Sequence, residues 1–241
     1  MKNKLAKGLL LAAILAGALV LFLVLWFRPS RDVSAELQEV FSGTNSASVQ
    51  TSAPSAGVMR YNAQPIGSKA RIAGTSSVHD WTMESIVIGG FMEVDSKFPE
   101  SALTDPNAAR PKVEAFMPVR SFKSYSKRMD EVMQEQMEEP KHKRIEYRLI
   151  GLKPKSAPDS TGALQFEAIG ALTIKGTTRT NTMPVTIERR DGKIKVTGST
   201  PLKMTDFGVK PPEITIPVLG KITTGDEIKI SIEWITAPKA Q

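Results

Sequence analysis

The 241-residue sequence contains no cysteine and only two histidines, His79 and His142. The first absence removes disulfide scaffolds, thiolate metal sites and cysteine nucleophiles together. The second leaves too few imidazoles for most histidine-based metal centres. A chain without disulfides is compatible with either side of a membrane, because a large enough core is stable without them. Aromatic residues make up only 6% of the chain, and the net charge of +7 is mild. Lys2, Lys4, Lys7, Arg28 and Arg31 stand against Asp32, Glu36 and Glu39 near the start, and both signs are interspersed thereafter. Nucleic-acid binders usually show a basic stripe with stacking aromatics or a recognisable motif. Neither is present, so nucleic acid is not an expected partner. The sequence also lacks a G-x-S-x-G elbow, a phosphate-cradling glycine loop, metal-ligand spacing and a dinucleotide fingerprint. No cofactor and no enzymatic activity are therefore expected.

What is present divides the chain into segments. Leu9 to Phe27 is an uncharged apolar run behind three lysines, with Trp26 and Phe27 at its far end. As a helix it spans about 28 Å at 1.5 Å per residue, close to the hydrocarbon thickness of a bilayer, and it ends in interfacial aromatics. It is longer than the apolar core of an ordinary signal peptide. A small-x-small site at Val33-Ser34-Ala35 is separated from it by Arg28, Pro29 and Arg31. The expected organisation is a cytoplasmic tail at 1–8, an uncleaved signal anchor at 9–27 and a linker at 28–57, followed by a folded domain at 58–237. A cleaved signal peptide is the alternative. Either way the bulk of the chain is expected outside the cytoplasm, periplasmic or extracytoplasmic, because the lysines stay inside. Within the linker, SGTNSASVQTSAPSAG (42–57) is uncharged and too poor in large apolar side chains to offset its ordering entropy. A flexible tether from Arg31 to Gly57 has an r.m.s. reach of about 29 Å.

From Met59 onward, alternation with a period of two dominates. Val113, Ala115, Met117 and Val119 form one such row; Ile145, Tyr147 and Leu149 another. Leu164, Phe166, Ala168, Gly170, Leu172 and Ile174 hold one face, as do Ile228, Ile230, Ile232 and Trp234. Such rows predict strands with one buried face. Asp191-Gly192 between two short apolar runs predicts a hairpin. One segment differs. Tyr125 to Met137 carries Met129, Val132, Met133 and Met137 at helical spacing, which predicts an amphipathic helix with Ser124 as N-cap and Pro140 just beyond its end. Strands without helix-length crossovers imply an antiparallel sheet, and about eight of them favour closure, which removes exposed edges. The expected class is all-β with one helix: an antiparallel barrel of about eight strands.

Three blocks of residues, in order, resemble a known family. Gly170-Ala-Leu-Thr-Ile-Lys-Gly-Thr-Thr with Met183-Pro-Val-Thr-Ile is similar to a characteristic strand pair of the YceI-like family. Ser121-Phe122-Lys123-Ser124 with Met129-Asp130 and Met133 resembles that family's entry into its helix. Met204-Thr-Asp-Phe-Gly-Val-Lys-Pro-Pro with Gly225-Asp-Glu-Ile resembles its C-terminal close. Gly74-Thr-Ser-Ser-Val-His-Asp-Trp81 is similar to an opening found in a subgroup. The resemblance covers about residues 60–237 and implies a lipocalin-like barrel holding a long apolar chain, typically a polyisoprenoid or quinone.

An eight-stranded barrel has room either for its own side chains or for one slender ligand, and alternation alone does not choose between them. If a ligand is held, the expected lining is Val113, Ala115, Met117, Ile145, Tyr147, Leu149, Phe166, Leu172, Ile230, Ile232 and Trp234 from strands. Phe207 would join them from the T-D-F-G block, and Met129, Met133 and Met137 from the helix. Methionine suits an adaptable wall, being unbranched and polarisable. His79 and Trp81 are expected to be structural, Trp81 packing at or capping a barrel end. Asp206 and Asp226 are expected to serve local turns. Lys141, His142, Lys143 and Arg144 precede a strand and should mark one end of the barrel, as a solvated entrance or as contacts for anionic headgroups. The expected partners are an isoprenoid or other apolar lipid and the membrane; self-association as a homo-oligomer is left open.

Overall fold

Among the described residues, eleven strands follow one another with only short helices between them. The computed structural model describes residues 57–104, 111–156, 163–216 and 220–238. The strands are β1 (Val58–Ala63), β2 (Lys69–Ser76), β3 (Trp81–Ser85), β4 (Gly89–Asp95), β5 (Lys112–Pro118), β6 (Arg144–Ser156), β7 (Leu164–Ile174), β8 (Thr177–Arg190), β9 (Lys193–Lys203), β10 (Glu213–Ile216) and β11 (Gly220–Pro238). Helix α1 is Ser101–Thr104 and α2 is Lys127–Gln136. The expected tail and anchor, and the linker up to residue 56, lie outside the described residues. Among those residues no helix is long and apolar enough to cross a membrane.

The sheet order is β1-β4-β5-β6-β7-β8-β9-β11, and β11 pairs back onto β1 through Tyr61 opposite Pro238. These eight antiparallel strands form a closed ring. β11 is long enough to hold β9 along one edge while β10, β2 and β1 follow one another along it too. β3 hangs on β2 and meets the turn before α2 through a bridge between Glu84 and Lys123.

Local chemistry explains the strands that matter for the interior. Every second residue of β7 from Leu164 to Ile174 is buried, the expected alternation unbroken over eleven residues. In β6 the inward row Ile145, Tyr147, Leu149 is interrupted after Leu149. Leu149 pairs with Gly170 and Gly151 with Ile169, so Ile150 is an extra residue, 58% exposed, and Leu152 resumes the inner face. That is the signature of a β-bulge. The Asp191-Gly192 hairpin forms as expected between Arg190 and Lys193, with both residues at positive φ, 50° and 72°. Such a turn matches the right-handed strand twist.

The helix begins two residues later than expected. Ser126, not Ser124, is the N-cap, its hydroxyl accepting from Met129 N. Ser124 is diverted: its main-chain N and its Oγ both donate to Asp130 Oδ1 at 2.7 Å, and Oγ in turn accepts from Ser126 N. Asp130 is buried at 4% exposure, so its carboxylate takes the nearest donors, which are those of Ser124. Glu138, at a φ of 49°, turns the chain out of the helix before Pro140 is reached.

Candidate binding site

Two cavities that meet at one side chain lie at the mouth of the ring and within it. The outer cavity, of about 200 Å³, lies under α2, and the inner one, of about 110 Å³, lies further along the barrel. Ile230 lines both. Each wall is overwhelmingly aliphatic, aromatic and thioether in character.

Fourteen of the fifteen residues named as the lining for a ligand border one of the two cavities. Met129, Met133, Met137, Ile145 and Phe207 face the outer cavity. Val113, Ala115, Met117, Tyr147, Leu149, Leu172, Ile232 and Trp234 face the inner one, and Ile230 serves both. Phe166 does not. It points inward as its alternation requires, but it is fully buried in side-chain packing and borders neither cavity.

Several wall residues have no counterpart in the sequence reading. Ile72 of β2, Met83 of β3, and Met204 and Val209 beside Phe207 complete the outer wall. Ile88, Met92 and Phe98 complete the inner one. Strands β2 to β4 are short, β2 is interrupted by Gly74 and β4 opens on Gly89 and Gly90, so no long alternating row advertises them. Trp81 and His79 both border the outer cavity. The Trp81 indole donates to Thr75 O at 3.1 Å and packs over Gly74, where a β-carbon would lie 2.4 Å from the ring. His79 Nδ1 is 2.7 Å from the main-chain oxygen of Asp80.

Phe207 is held by a long-range clamp. The 3₁₀ turn Thr205–Phe207 ends in Gly208 at a φ of 68°. Asp226, from β11, accepts Thr205 Oγ1 at 2.6 Å and Thr205 N at 2.9 Å, and its main-chain oxygen accepts Met204 N at 3.0 Å. These bonds hold the Asp226 carboxyl below its usual pKa range. The expectation of local turn duty for Asp226 is therefore corrected: its carboxylate fastens a segment distant in sequence, a partner that short-range patterns do not show. Asp206 contributes a main-chain oxygen to Arg179 Nε at 3.0 Å.

The basic run leads into Ile145 and so lies at the outer-cavity end of β6. Its cations are partly engaged. Lys141 Nζ is 3.4 Å from Glu138 Oε2, and Lys175 Nζ is 3.1 Å from Glu138 Oε1. The two lysines, Lys175 foremost, lower the Glu138 pKa. The Arg144 guanidinium stacks 4.3 Å from the Phe116 ring centroid, and the His142 ring covers Gly176.

Two polar atoms stand out in the apolar interior. Tyr147 Oη and Trp234 Nε1 are the buried side-chain donors without a hydrogen-bond partner among the described residues. Burial pushes the Tyr147 phenol up to about 12, so it stays protonated across the physiological range.

Fold and cavity together define a small closed β-barrel built around an apolar interior. Residues 61–235 match the YceI-like domain, and the chain belongs to that family. Among solved structures it is similar to BcnA of Burkholderia cenocepacia, with a TM-score of 0.56 and 17% identity over 72% of this chain and 98% of that one. It is also similar to a polyisoprenoid binding domain from Saccharophagus degradans implicated in plant cell wall breakdown. There the TM-score is 0.55 and the identity 10%, over 75% of this chain and 99% of that one. At these identities the likeness is one of fold. No curated protein matches the chain.

Proposed function

We propose that this chain is a membrane-anchored, extracytoplasmic module that binds an isoprenoid-like apolar lipid inside its barrel and does not transform it. The observation that carries this reading is the pair of apolar cavities that meet at Ile230, both lined almost wholly by hydrocarbon and thioether side chains. Each methylene taken from water contributes about 0.8 kcal/mol, so a few isoprene units in such a space bind appreciably. The polyisoprenoid-binding neighbour of like fold supports the same ligand class. Anchoring is supported by the Leu9–Phe27 run and by the charged gap before Val33-Ser34-Ala35.

The deciding experiment is solvent extraction of the purified protein followed by mass spectrometry. An isoprenoid-chain lipid in near-stoichiometric amount is expected. A lipid-free protein that also takes up none when offered a panel would overturn the reading, and turnover of any panel member would overturn its non-enzymatic part. N-terminal sequencing of the mature protein tests the anchor: a chain beginning at Glu36 would show cleavage.

A further inference from the structure

We infer that an apolar chain reaches the inner cavity sideways, through an unzipped seam between β8 and β9, rather than end-on past α2. This rests on the reading that the barrel binds an apolar lipid, and adds the route by which the lipid comes and goes.

The β8–β9 ladder stops partway. It runs from Arg190 opposite Lys193 to Val185 opposite Gly198 and no further. Both strands continue: β8 stays paired with β7 down to Thr177, and β9 with β11 up to Lys203. The sequence accounts for the break. A two-residue hairpin closes on a pair that exchanges both hydrogen bonds, and every second pair after it does the same. Arg190 opposite Lys193 starts that series, so beyond the break the next such pairs would be residues 184 with 199 and 182 with 201. Positions 184 and 201 are both proline. Neither has the N–H that its pair needs, so two successive rungs each lose a bond, one from either strand.

Side chains span the seam in place of the ladder. Thr200 Oγ1 lies 3.4 Å from Thr182 O on the facing strand and equally far from Pro201 O, so its one proton is divided between two long bonds. Met183 leans across from β8: a β-carbon on Gly198 would lie 2.8 Å from its sulfur. A hydroxyl and an unbranched thioether can swing aside without breaking any main-chain pairing. The far end of the seam is fastened, with Arg179 Nε donating to Asp206 O at 3.0 Å. Between these limits the parted stretch, residues 199–203 of β9, is about 17 Å long at 3.4 Å per residue.

The seam leads to the place a ligand must reach. Asn181 and Met183 on one side of it, and Thr200 and Leu202 on the other, line the inner cavity. On the outer face, a groove over Pro184, Gly198 and Ser199 touches Val185 and Ile232, which also line the inner cavity. The end-on route is obstructed by comparison. The two cavities meet at Ile230, whose strand is paired there on both sides, with Thr200 of β9 and Ile72 of β2. A chain coming from the mouth must pass that residue; one coming through the seam need not.

The test uses the delipidated full chain, captured on a resin in detergent, with geranylgeraniol as the probe. Uptake is timed by washing, extraction and mass spectrometry, and release by a chase with the deuterated alcohol. Because the chain has no cysteine, Thr182→Cys with Pro201→Cys allows a single bridge, across the seam. Once oxidised, this variant should take up and release the probe at least about tenfold more slowly, and reduction should restore both rates. The amount bound at equilibrium should stay within about twofold, since a path sets rates and not affinity. A bridge through Glu188→Cys and Lys195→Cys, on the zipped part of the same strands, should leave the rates within about twofold. Pro184→Val with Pro201→Val, which returns the missing N–H groups, should slow exchange without any bridge. Unchanged rates in the oxidised seam variant, or equal slowing by both bridges, would overturn the side entry while lipid binding stands. If the seam thiols do not bridge, unchanged rates in the double valine variant overturn it instead. If the wild type takes up no geranylgeraniol, the lipid-binding reading and this one fall together.

Discussion

The Cε2–Cζ–Oη edge of Tyr147 lies against the α-carbon of Gly170 on the neighbouring strand, so closely that a β-carbon there would be 2.3 Å from Cζ. Glycine at 170 is thus a requirement of the tyrosine, since residue 170 points into the same interior. Gly170→Ala should overpack the site and cost about 1–3 kcal/mol, visible as a lowered Tm. Combined with Tyr147→Ala, much of that loss should be recovered; equal destabilisation in both backgrounds would show that the ring is not the obstacle.

The same phenol predicts an alkaline transition. Its pKa is raised to about 12 in the fold from the ordinary phenol value of 10.0, so the unfolded chain gives up its proton first. Stability from this group is complete below about pH 10 and is lost as pH rises toward 12, at up to about 1.4 kcal/mol per pH unit. Denaturant titrations of the wild type between pH 9 and 12 should therefore fall more steeply than those of Tyr147→Phe. Parallel curves would refute the assignment.

Met133 borders the outer cavity and is only half-buried. Met133→Trp should fill that space at a stability cost below about 1 kcal/mol while reducing bound lipid several-fold. Were the side chain wedged in a filled core, overpacking would cost about 1–3 kcal/mol. Melting temperature and lipid content, measured on the same preparation, distinguish the two.

Asp226 offers a second pH handle. Its pKa is lowered in the fold by the Thr205 hydroxyl and main-chain bonds, so its contribution is present at neutral pH and lost as pH falls through the folded value, below the usual aspartate range. Asp226→Asn should loosen the turn bearing Phe207 at neutral pH and flatten the acid limb of the Tm profile between pH 2 and 5. An unchanged acid limb would mean that the clamp contributes nothing to stability.

At the outer end, Lys141 is paired with Glu138 and Arg144 with the Phe116 ring, so the three permanent cations are unequal. In flotation with anionic vesicles, a chain beginning at Gly57 should lose more binding from Lys143→Gln than from Lys141→Gln. The triple change with Arg144→Gln should abolish most of the salt-sensitive part. Equal flotation of wild type and triple variant at low salt would mark the run as a solvated strand end.

The legible parts of this molecule are those whose information is local. The alternation of β7 and β11, the Asp191-Gly192 turn and the methionine face of α2 could all be read because neighbours in sequence determine them. The cap of α2 could not, because Ser124 and Ser126 are equally good caps until the buried Asp130 claims one of them. Phe166 faces inward as read, yet only the closed ring decides that it borders neither of the two cavities that meet at Ile230. Likewise the division of the interior at Ile230 depends on α2, β2 and β3 arriving from elsewhere. Ile72 and Met83 are not legible because their strands are short, the first broken by Gly74 and the second only five residues long, and carry too few alternations.

The ring is sealed by β11, which follows every other strand in the sequence and pairs with β9, β10, β2 and β1. Tyr61 must therefore wait for Pro238. Until that late partner is available, β1 and β9 are unsealed edges, and the barrel exists only as a curved sheet with its apolar face uncovered. Pairings so remote in sequence place folding in the slow, millisecond-to-second class, because the long loop must close before its contacts give anything back. A chain delivered across a membrane in N-to-C order would traverse it without a finished barrel. Enclosure would then be the last act of folding, performed wherever the C-terminal strand comes to rest.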